Sequence, residues 1–493
     1  MMDAETVIKL FNERKSKYNI PYDLKKEQAD VAVSIANKRN CVAFLPTGYG
    51  KTLCFMVNAI IHDIPCLTLV VSPLLSLMDS QIKSLKACNF TCIKIGSDLT
   101  AEESDGMIFG LNYFIKNRIY TYLLCCKQII KLMIFTGIST GEYSFVFSSP
   151  ESVLKQKWRD IFLNDIWQSR IALIVFDEAH CISEWGEEFR PEYQEMSQLR
   201  SFFKAPVLSL TATCTPKIKE EIMTSLQLDE CNTDIICKSA NRENIFIICR
   251  KKLTREYEVE LDWLVNHLKE RGKNSKKSIV YCRSIDTVSE VFITVKRLLG
   301  DQAYSDGIKC SQNLLVEMYH KCTHETSKNR ILTDFSSNLS TIRCLFATVA
   351  LGMGIDIPDV DIVVHIGCPK SVISYWQEAG RCARDGRQGL SYIMYDNFTA
   401  SLKNTDKSMA SMVRSSETDC IRKQVLSTFS ISEAHSYIST VCEGCDFKYC
   451  NCQACRCCEI CAQRCPCSKR SILDLDTFLS NVDFNARLTS EKN

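Results

Sequence analysis

Short apolar runs alternate with helical stretches along the first half of the chain. The run CVAFLP at residues 41–46 has the length of a buried strand, and a helical stretch follows it from about Lys51. Further runs of the same kind come in the order LTLVVSP, SFVFSSP, IALIVFDEAH and PVLSLTAT. Continuous apolar runs of this length, separated by helical segments, predict a parallel sheet that is covered by helices on both faces.

The same alternation returns in the second half of the chain. After residue 275 the apolar runs are KSIVYC, TIRCLFATVA, VDIVVHIG and LSYIMYD. We therefore predict an α/β protein with two parallel-sheet lobes that join near residues 230–250. A cysteine-rich stretch follows from about residue 420, and a polar tail comes last. The predicted boundaries are 1–235 for the first lobe, 236–405 for the second, 406–470 for the cysteine-rich module and 471–493 for the tail.

The composition is that of an ordinary soluble globular protein, with 46% hydrophobic and 24% charged residues. The formal net charge is only +2, so any surface that attracts nucleic acid must be local. We predict no membrane span, because charges interrupt every apolar stretch of about 18 residues. The nearest candidate, residues 107–135, contains four basic residues. We expect it to be a helical insert on the first lobe, with a DNA-facing insert or a gene-model artefact as alternatives.

Cysteine is used unusually often, at 29 residues, and ten of these lie between Cys442 and Cys467. A secreted disulfide scaffold would be short and would carry a signal peptide. The sequence starts instead with a charged, amphipathic stretch, MMDAETVIKLFNERKSKYN. We therefore predict a reducing compartment, in which the dense cysteine cluster is a metal site.

The stretch LPTGYGKT at residues 45–52 follows a predicted strand and opens a predicted helix. Its glycines let the backbone curl so that its N–H groups face phosphate oxygens. Its lysine would reach the terminal phosphates of a nucleotide, and the threonine after it would hold Mg²⁺. Leu45 stands where the full phosphate-loop pattern has its first glycine, so the stretch alone could be a simple turn. The predicted binding residues are Thr47, Gly48, Gly50, Lys51 and Thr52.

The apolar run IALIVFDEAH leads into two carboxylates, Asp177 and Glu178. The predicted strand places Asp177 at the carboxyl edge of the sheet, where ligands bind in folds of this kind. Asp177 would bind Mg²⁺, directly or through water, and Glu178 would act as the general base on the attacking water. His180 would connect this site to the second lobe. The alternative, a surface Asp-Glu pair that caps a helix, is disfavoured by the phosphate loop upstream.

Several longer motifs resemble those of a known family and follow its order. GYGKT, DEAH, SLTATCTP and QEAGRCARDG are similar to the motifs of superfamily 2 helicases. CISEWGEEFRPEY resembles the aromatic-rich loop of RecQ-type DNA helicases, and VVSPLLSLMDSQ, ATVALGMGIDIPDV and PKSVISYWQEAGR fit the same family. The resemblance covers about residues 20–465. It implies two RecA-like lobes with a zinc-binding helical module, and an ATP-driven DNA helicase that moves 3′ to 5′ on single strands.

The aromatic-rich loop is expected to contact DNA. Trp185 and Phe189 offer flat faces on which unpaired bases stack, worth about 1–3 kcal/mol per base. Arg190 can pair with phosphate or with an acid across the cleft. A strand bound here would shift the loop that carries Glu178 and so stimulate hydrolysis. The family usually has histidine where Glu187 stands, and the alternative is that both aromatic side chains are core residues.

The late stretch QEAGRCARDG supplies Arg381 and Arg384, three apart on a predicted helix and therefore on one face. The resemblance implies that one or both act as an arginine finger on the γ-phosphate, and that Gln377 contacts nucleotide or water. A solvated basic helix face is the alternative. Where the family usually reads GRAGRDG, this chain has Cys382 and Ala383 in place of Ala-Gly.

Other motif positions receive their roles from the resemblance alone. Gln28 stands where the family's glutamine reads the adenine edge, and Lys25 stands where the family often has arginine. The elements that couple nucleotide state to DNA contain Thr211 and Thr213 in the first lobe, and Gly352, Gly354 and Asp356 in the second.

Four cysteines are predicted to bind zinc. Cys455, Cys458 and Cys461 have CxxCxxC spacing, and Cys420 opens a helix that resembles the one before the zinc module of RecQ proteins. Four thiolates suit a closed tetrahedral site with a structural role. The extra cysteines leave the ligand set open, and the cluster could also hold no metal. A second zinc could use Cys442, Cys445, Cys450 and Cys452.

The leading interpretation is a RecQ-like DNA helicase in DNA repair, recombination or replication. Its cofactors would be ATP, Mg²⁺ and Zn²⁺, and its partner single-stranded or branched DNA. The alternatives are a translocase that does not unwind or that prefers RNA, and a catalytically silent, zinc-bearing DNA-binding protein. The intact catalytic positions disfavour the silent protein. A nuclear location is inferred from the family only, and no protein partner follows from the sequence.

Overall fold

A computed structural model gives the structure of the protein. It describes residues 1–62, 66–96, 135–182, 195–213, 215–305, 307–337, 339–351, 357, 359–403, 405–429, 455–465 and 475–480. Four predicted features lie outside the described residues. They are the insert up to residue 134, the loop with Trp185, Phe189 and Arg190, the element with Gly352, Gly354 and Asp356, and the cysteines from Cys442 to Cys452. The chain divides into two compact units, the N-terminal unit Met1–Ser239 and the C-terminal unit Ala240–Asn493.

Seven parallel strands form the sheet in the described part of the N-terminal unit. Their spatial order is β3-β4-β2-β5-β6-β1-β7. The five strands predicted from apolar runs occupy the five central places, and nearly all of their residues are buried. The strands are β1 Asn40–Phe44, β2 Leu67–Val71, β3 Cys92–Ile95, β4 Phe145–Ser148, β5 Ile171–Asp177, β6 Val207–Thr211 and β7 Thr233–Cys237.

Helices cover this sheet. On one face the core joins Phe11, Val31 and Phe55, which lie on three successive helices, to the strand residues Ala43 and Leu208. Because side chains alternate along a strand, the other residues of the same strands face the opposite side. The described helices are Ala4–Arg14, Lys26–Ala36, Lys51–Ile61, Leu75–Ala87, Pro150–Val153, Gln156–Phe162, Asp165–Arg170, Gln198–Phe202 and Pro216–Ser225.

The C-terminal unit contains a second parallel sheet, with the order β10-β11-β9-β12-β13-β8 in its described residues. The central strand β9 shows why both faces are covered: Val280 and Cys282 belong to one core cluster, whereas Ile279 and Tyr281 belong to another. The strands are β8 Ile245–Lys251, β9 Ser278–Cys282, β10 Val316–Tyr319, β11 Cys344–Ala347, β12 Ile362–Ile366 and β13 Gly389–Tyr395.

Local capping fixes the limits of the helices around this sheet. The longest described helix begins after Ser284, whose hydroxyl accepts the N–H of Thr287 at 3.1 Å, and ends at Gly300, where φ is +57°. The described helices are Tyr257–Glu260, Asp262–Arg271, Ile285–Leu299, Glu325–Phe335, Val372–Ala379, Lys407–Arg414, Ile421–Thr428, Glu459–Arg464 and Leu475–Ser480.

Two parallel sheets, each between layers of helices, confirm the predicted fold class. The cysteine-rich module contributes short helices to the C-terminal unit. Among the described residues, none of the helices is long and apolar enough to cross a membrane.

Candidate functional site

Three neighbouring strands of the N-terminal unit bring its predicted motifs together. The strands β5, β6 and β1 lie side by side, and the register pairs Asp177 with Leu210 and Phe44 with Thr211. Carboxyl ends of parallel strands meet at one edge of the sheet, where ligands bind. The phosphate loop after β1, the acidic motif after β5 and the threonines after β6 therefore share that edge.

The phosphate loop turns the chain from β1 into the helix Lys51–Ile61. Leu45 still extends the strand: its side chain is buried, and its N–H donates to the Thr211 carbonyl at 2.9 Å. Leu45 is not among the described non-glycine residues with a positive φ, so this position does not need the glycine of the full pattern. Gly48 and Gly50 have φ of +76° and +88°, a region that favours glycine. Gly50 caps the helix, and the positive end of the helix dipole there suits an anion.

Gln28 lies beside this loop. Its Nε2 donates to the carbonyls of Tyr49 at 3.0 Å and Gly50 at 3.2 Å, and its Oε1 accepts the N–H of Lys25 at 2.9 Å. A Cβ at Gly50 would stand 2.9 Å from Gln28 Nε2, so glycine permits this contact. The Lys25 ammonium lies 4.3 Å from the centre of the Tyr49 ring. The structure thus places the predicted adenine-reading residue against the phosphate loop.

The Asp177 carboxylate is buried at the end of β5. Its Oδ2 accepts from Gln81 Nε2 at 2.7 Å, and its Oδ1 accepts the N–H of Glu178 at 3.0 Å. Its pKa is raised to about 6, first by burial and then by the charge of Glu178, whereas Lys51 lowers it. A buried carboxylate that needs a cation fits a predicted Mg²⁺ ligand.

Gln81 is a site residue that was not predicted from the sequence. It lies on the helix Leu75–Ala87 and within the stretch VVSPLLSLMDSQ. That stretch is one of the motifs on which the family resemblance rests, so the resemblance was the signal that could have identified Gln81. No charge or spacing marks a lone glutamine as the partner of a carboxylate 96 residues away.

Glu178 has a left-handed backbone, with φ of +49°. A non-glycine residue in this region is strained and is held there by its surroundings. Its Oε1 lies 3.4 Å from Lys51 Nζ, and its Oε2 lies 3.4 Å from His180 Nδ1. The predicted base and the predicted phosphate-binding lysine are therefore adjacent.

A short polar chain leads from Glu178 to the threonines after β6. The buried His180 contacts Thr211 Oγ1 through Nδ1 at 3.0 Å. The same Oγ1 accepts the N–H of Thr213 at 3.0 Å. Within the N-terminal unit, His180 joins the acidic motif to the predicted coupling element, and its connection to the second lobe stays a prediction.

The predicted helix through Arg381 and Arg384 is wrong. The helix Val372–Ala379 contains Gln377 and ends before both arginines, which lie on the following turn. Ala383 has φ of +47°, which a continuing helix does not allow. The alanine that replaces the family's glycine therefore takes a conformation in which glycine is favoured.

Arg242 holds this turn in place. Its Nη1 donates to the Gly380 carbonyl at 2.9 Å, and its Nη2 donates to the carbonyls of Cys382 at 3.0 Å and Ala383 at 2.9 Å. Five guanidinium N–H donors in a rigid fork suit several carbonyls at once. Arg242 thus holds the turn that follows the helix Val372–Ala379, and no motif in the sequence marks this role.

We expect Gly389→Ala to lower the free energy of unfolding by about 1–3 kcal/mol through overpacking against this turn. A Cβ there would overlap with Cys382 Sγ and stand 2.8 Å from Ala383 Cβ. Thermal unfolding of the variant in the wild-type and Cys382→Ala backgrounds measures the effect. Because alanine at position 382 is smaller than cysteine, Gly389→Ala should destabilise the Cys382→Ala protein less than it destabilises the wild type. An equal loss of unfolding free energy in both backgrounds would contradict the steric cause.

Four thiols of the cysteine-rich module converge. The ligand atoms of Cys420, Cys457, Cys458 and Cys461 all lie within 4.8 Å of one another. The sulfur of Cys420 is 3.5 Å from that of Cys457 and 3.9 Å from that of Cys458. Zn–S bonds of about 2.3 Å in a tetrahedron require S–S separations of about 3.8 Å. The donor set therefore fits zinc.

The convergent set contains Cys457, whereas the spacing predicted Cys455. The pairing of β8 with the module explains this difference. Ile247 forms a parallel bridge with Cys458 and donates its N–H to the Cys457 carbonyl at 3.3 Å. The helix Glu459–Arg464 then begins at once and brings Cys461 back to the same side. Cys455 is buried but lies outside this group.

Arg422 anchors the module to the sheet of the C-terminal unit. It is among the largest fully buried side chains. Its guanidinium donates to the carbonyls of Arg242 at 2.7 Å and Cys457 at 3.1 Å, and also to the Ile245 carbonyl. A buried arginine with this many carbonyl partners fixes a packing arrangement. No feature of the sequence marks Arg422, because exposed and buried arginines look alike in a sequence.

Two family models match the chain. The model described as "DEAD/DEAH box helicase" matches residues 25–221, and the "Helicase conserved C-terminal domain" matches residues 259–386. Together they span both units and include the phosphate loop, the acidic motif and the arginine turn.

Curated proteins show the same likeness. The ATP-dependent DNA helicase hus2/rqh1 of Schizosaccharomyces pombe is 28% identical over 82% of this chain and 28% of its own length. The probable ATP-dependent DNA helicase RecS of Bacillus subtilis is 30% identical over 75% of this chain and 64% of its own length.

A solved structure supports the fold. The helicase Lhr of Mycobacterium smegmatis, bound to ssDNA and AMP-PNP, has a TM-score of 0.55 at 18% identity, over 78% of this chain and 47% of that one. The chain spans less than two thirds of the length of each of these three proteins. With the motifs in family order, two RecA-like sheets and these relatives, the chain belongs to the RecQ-type helicases of superfamily 2.

Proposed function

We propose that the protein is an ATP-dependent 3′–5′ DNA helicase of the RecQ type. It couples ATP hydrolysis to translocation on single-stranded DNA and to duplex unwinding, in DNA repair, recombination or replication. The observation that carries the proposal is the meeting of Lys51, Asp177 and Glu178 at one sheet edge, with 3.4 Å between Lys51 Nζ and Glu178 Oε1. The relatives are themselves named ATP-dependent DNA helicases.

The phosphate loop binds the triphosphate of ATP. Backbone N–H groups at the start of the helix Lys51–Ile61 face the phosphates, and Lys51 neutralises their terminal charge. Asp177 and Thr52 would hold Mg²⁺, which supplies a positive charge beside the transferring phosphoryl group. Thr47, Gly48 and Gly50 shape the loop.

Glu178 orients the attacking water and accepts its proton. Its strained backbone aims the carboxylate at Lys51, at the mouth of the phosphate loop. A γ-phosphate there would compete with Glu178 for the lysine, so nucleotide binding would release the carboxylate to act on water. The contacts from Glu178 through His180 to Thr211 and Thr213 give the N-terminal unit a route for coupling.

The cysteine cluster would hold one structural zinc ion. Four thiolates close a tetrahedral site and leave no open position for a reacting water. The support is the S–S geometry of Cys420, Cys457, Cys458 and Cys461. The zinc would brace the helices Ile421–Thr428 and Glu459–Arg464 against β8.

Several parts of the proposal stay predictions. They include the roles of Gln377, Arg381 and Arg384 on the γ-phosphate, and of Trp185, Phe189 and Arg190 on unpaired bases. A preference for branched DNA also stays a prediction. So does a nuclear location, because the relatives come from a fungus and from a bacterium.

Steady-state ATP hydrolysis without nucleic acid, with single-stranded DNA and with single-stranded RNA tests the proposed function. We expect DNA to stimulate the rate well above RNA. Lys51→Ala should lower the stimulated rate by about 10²-fold or more, because the transition-state charge loses its lysine. This variant serves as the blank.

Two other results would change the assignment. Equal or RNA-led stimulation would indicate an RNA-dependent relative. Hydrolysis no faster than the Lys51→Ala blank would indicate a silent DNA-binding protein. Strand displacement with 3′- and 5′-tailed duplexes then separates a helicase from a translocase that does not unwind.

A further inference from the structure

A tyrosine occupies the most freely rotating part of the phosphate loop. Tyr49 stands between Gly48 and Gly50, whose φ values of +76° and +88° lie in the region that favours glycine. A glycine on each side gives a loop many conformations, and a loop that becomes ordered only when its ligand arrives loses entropy on binding. The half-buried side chain of Tyr49 has no part in the proposed chemistry. Its contacts show what else it does.

Glu27 holds the hydroxyl of Tyr49. The hydroxyl donates to Glu27 Oε2, and Glu27 Oε1 pairs with Lys238 Nζ at 2.9 Å. The N–H of Lys238 donates to the Phe44 carbonyl at 2.9 Å, so this lysine is itself fixed at the end of β1. Burial, and then the hydrogen bond to Glu27, raise the pKa of Tyr49. The hydroxyl therefore keeps its proton and remains a donor to the carboxylate.

The ring and the carbonyl of Tyr49 are held by the neighbours of Glu27. Lys25 Nζ donates to the Tyr49 carbonyl at 3.2 Å and lies 4.3 Å from the ring centre, where the aromatic face attracts a cation. Gln28 Nε2 donates to the same carbonyl at 3.0 Å. Lys25 caps the helix Lys26–Ala36, and Glu27 and Gln28 lie in its first turn. One helix end therefore holds the hydroxyl, the ring and the carbonyl of a single loop residue.

We propose that Tyr49 is a positioning residue that sets the affinity of the phosphate loop for nucleotide. Its contacts with Glu27 and Lys25 order the loop before the triphosphate arrives, so less entropy is lost on binding. The hydroxyl is bound to a carboxylate, so Tyr49 acts through the loop and not on the reacting atoms. An effect that is equal in the ground state and the transition state changes KM and leaves kcat unchanged. The inference rests on the ATP binding of the proposed function and adds a residue to it.

The test is a double-mutant cycle of Tyr49→Phe and Glu27→Ala. Phenylalanine keeps the ring beside Lys25 and removes only the hydroxyl. The matched control is Tyr18→Phe, which removes the hydroxyl of a half-buried tyrosine that stacks on Phe90 in the same unit. Each full-length protein is titrated with a fluorescent ATP analogue, and DNA-stimulated hydrolysis gives KM and kcat. Thermal unfolding checks that every variant is folded.

We expect Tyr49→Phe to bind the analogue about 3- to 10-fold more weakly, which is the effect of losing one partly exposed hydrogen bond to a charged group. KM for ATP should rise by a similar factor, while kcat at saturating ATP stays within about 2-fold of wild type. Tyr18→Phe should match wild type. In the Glu27→Ala background, Tyr49→Phe should have no further effect, because the hydroxyl has already lost its acceptor.

Three results would overturn the proposal. They are an equal loss of affinity from Tyr49→Phe in both backgrounds, a fall in kcat with an unchanged KM, and tighter binding of the analogue by Tyr49→Phe. The last result would mean that the contacts of Tyr49 compete with the nucleotide. If wild type binds no analogue, the proposed function fails, which is a distinct result.

Discussion

Glu178→Gln should lower the DNA-stimulated rate of ATP hydrolysis by about 10²- to 10⁴-fold, the usual contribution of a general base. Glutamine has the same shape but cannot accept a proton from water. Nucleotide affinity should persist, because the phosphate loop is untouched and Lys51 loses a competing carboxylate 3.4 Å away. Steady-state hydrolysis and titration with a fluorescent ATP analogue measure the two quantities separately.

The matched control is Glu220→Gln, an exposed glutamate on the helix Pro216–Ser225 of the same unit. It should hydrolyse ATP like wild type. If Glu178→Gln keeps its rate within a few-fold of this control, another group activates the water. A parallel loss of nucleotide affinity would instead indicate that Glu178 acts by holding Lys51.

Cys457→Ser should release the zinc, whereas Cys455→Ser should keep one zinc ion per chain. Structural zinc sites in small peptides bind with about 10–16 kcal/mol, so one of four thiolates accounts for about 3 kcal/mol, or more than 100-fold in affinity. The midpoint of thermal unfolding should fall in the first variant alone. Metal analysis of the purified proteins after dialysis against a weak chelator gives the stoichiometry.

The two variants distinguish the zinc ligands given by the structure from those predicted by the CxxCxxC spacing. Both cysteines are buried and stand two positions apart, so a general cost of burying serine affects them alike. If Cys455→Ser lost the zinc and Cys457→Ser kept it, the ligands would be those predicted by the CxxCxxC spacing. Less than one zinc per chain in active wild-type protein would remove the metal from the proposal.

The central strands of both sheets could be predicted from the sequence, whereas the edge strands could not. The strands that it did not predict are β3, β7, β8 and β10, which are the outermost strands of the two described sheets. An edge strand has one free side, so it needs fewer apolar residues, as Glu317 in β10 shows. β8 is the exception, because its apolar run lies in the stretch that was interpreted as the junction between the lobes.

The phosphate loop and the acidic motif could be predicted because each lies in a local pattern at the end of a strand. The contacts that complete the site join distant residues and leave no such pattern. Gln81 reaches Asp177 across 96 positions, and Arg422 reaches Arg242 across 180. The choice of Cys457 follows from pairing with β8, which no spacing within the module reveals.

The pairing of Ile247 with Cys458 covers the middle of the outer edge of β8. Without the module, the apolar strand from Ile245 to Cys249 would present unpaired N–H and C=O groups to a second copy of the chain. Oxidation of the clustered thiols, or removal of the zinc ion proposed there, would therefore do more than loosen a helix. It would uncover a template for intermolecular strand addition, so that chemical damage at four sulfur atoms would lead to aggregation of the protein.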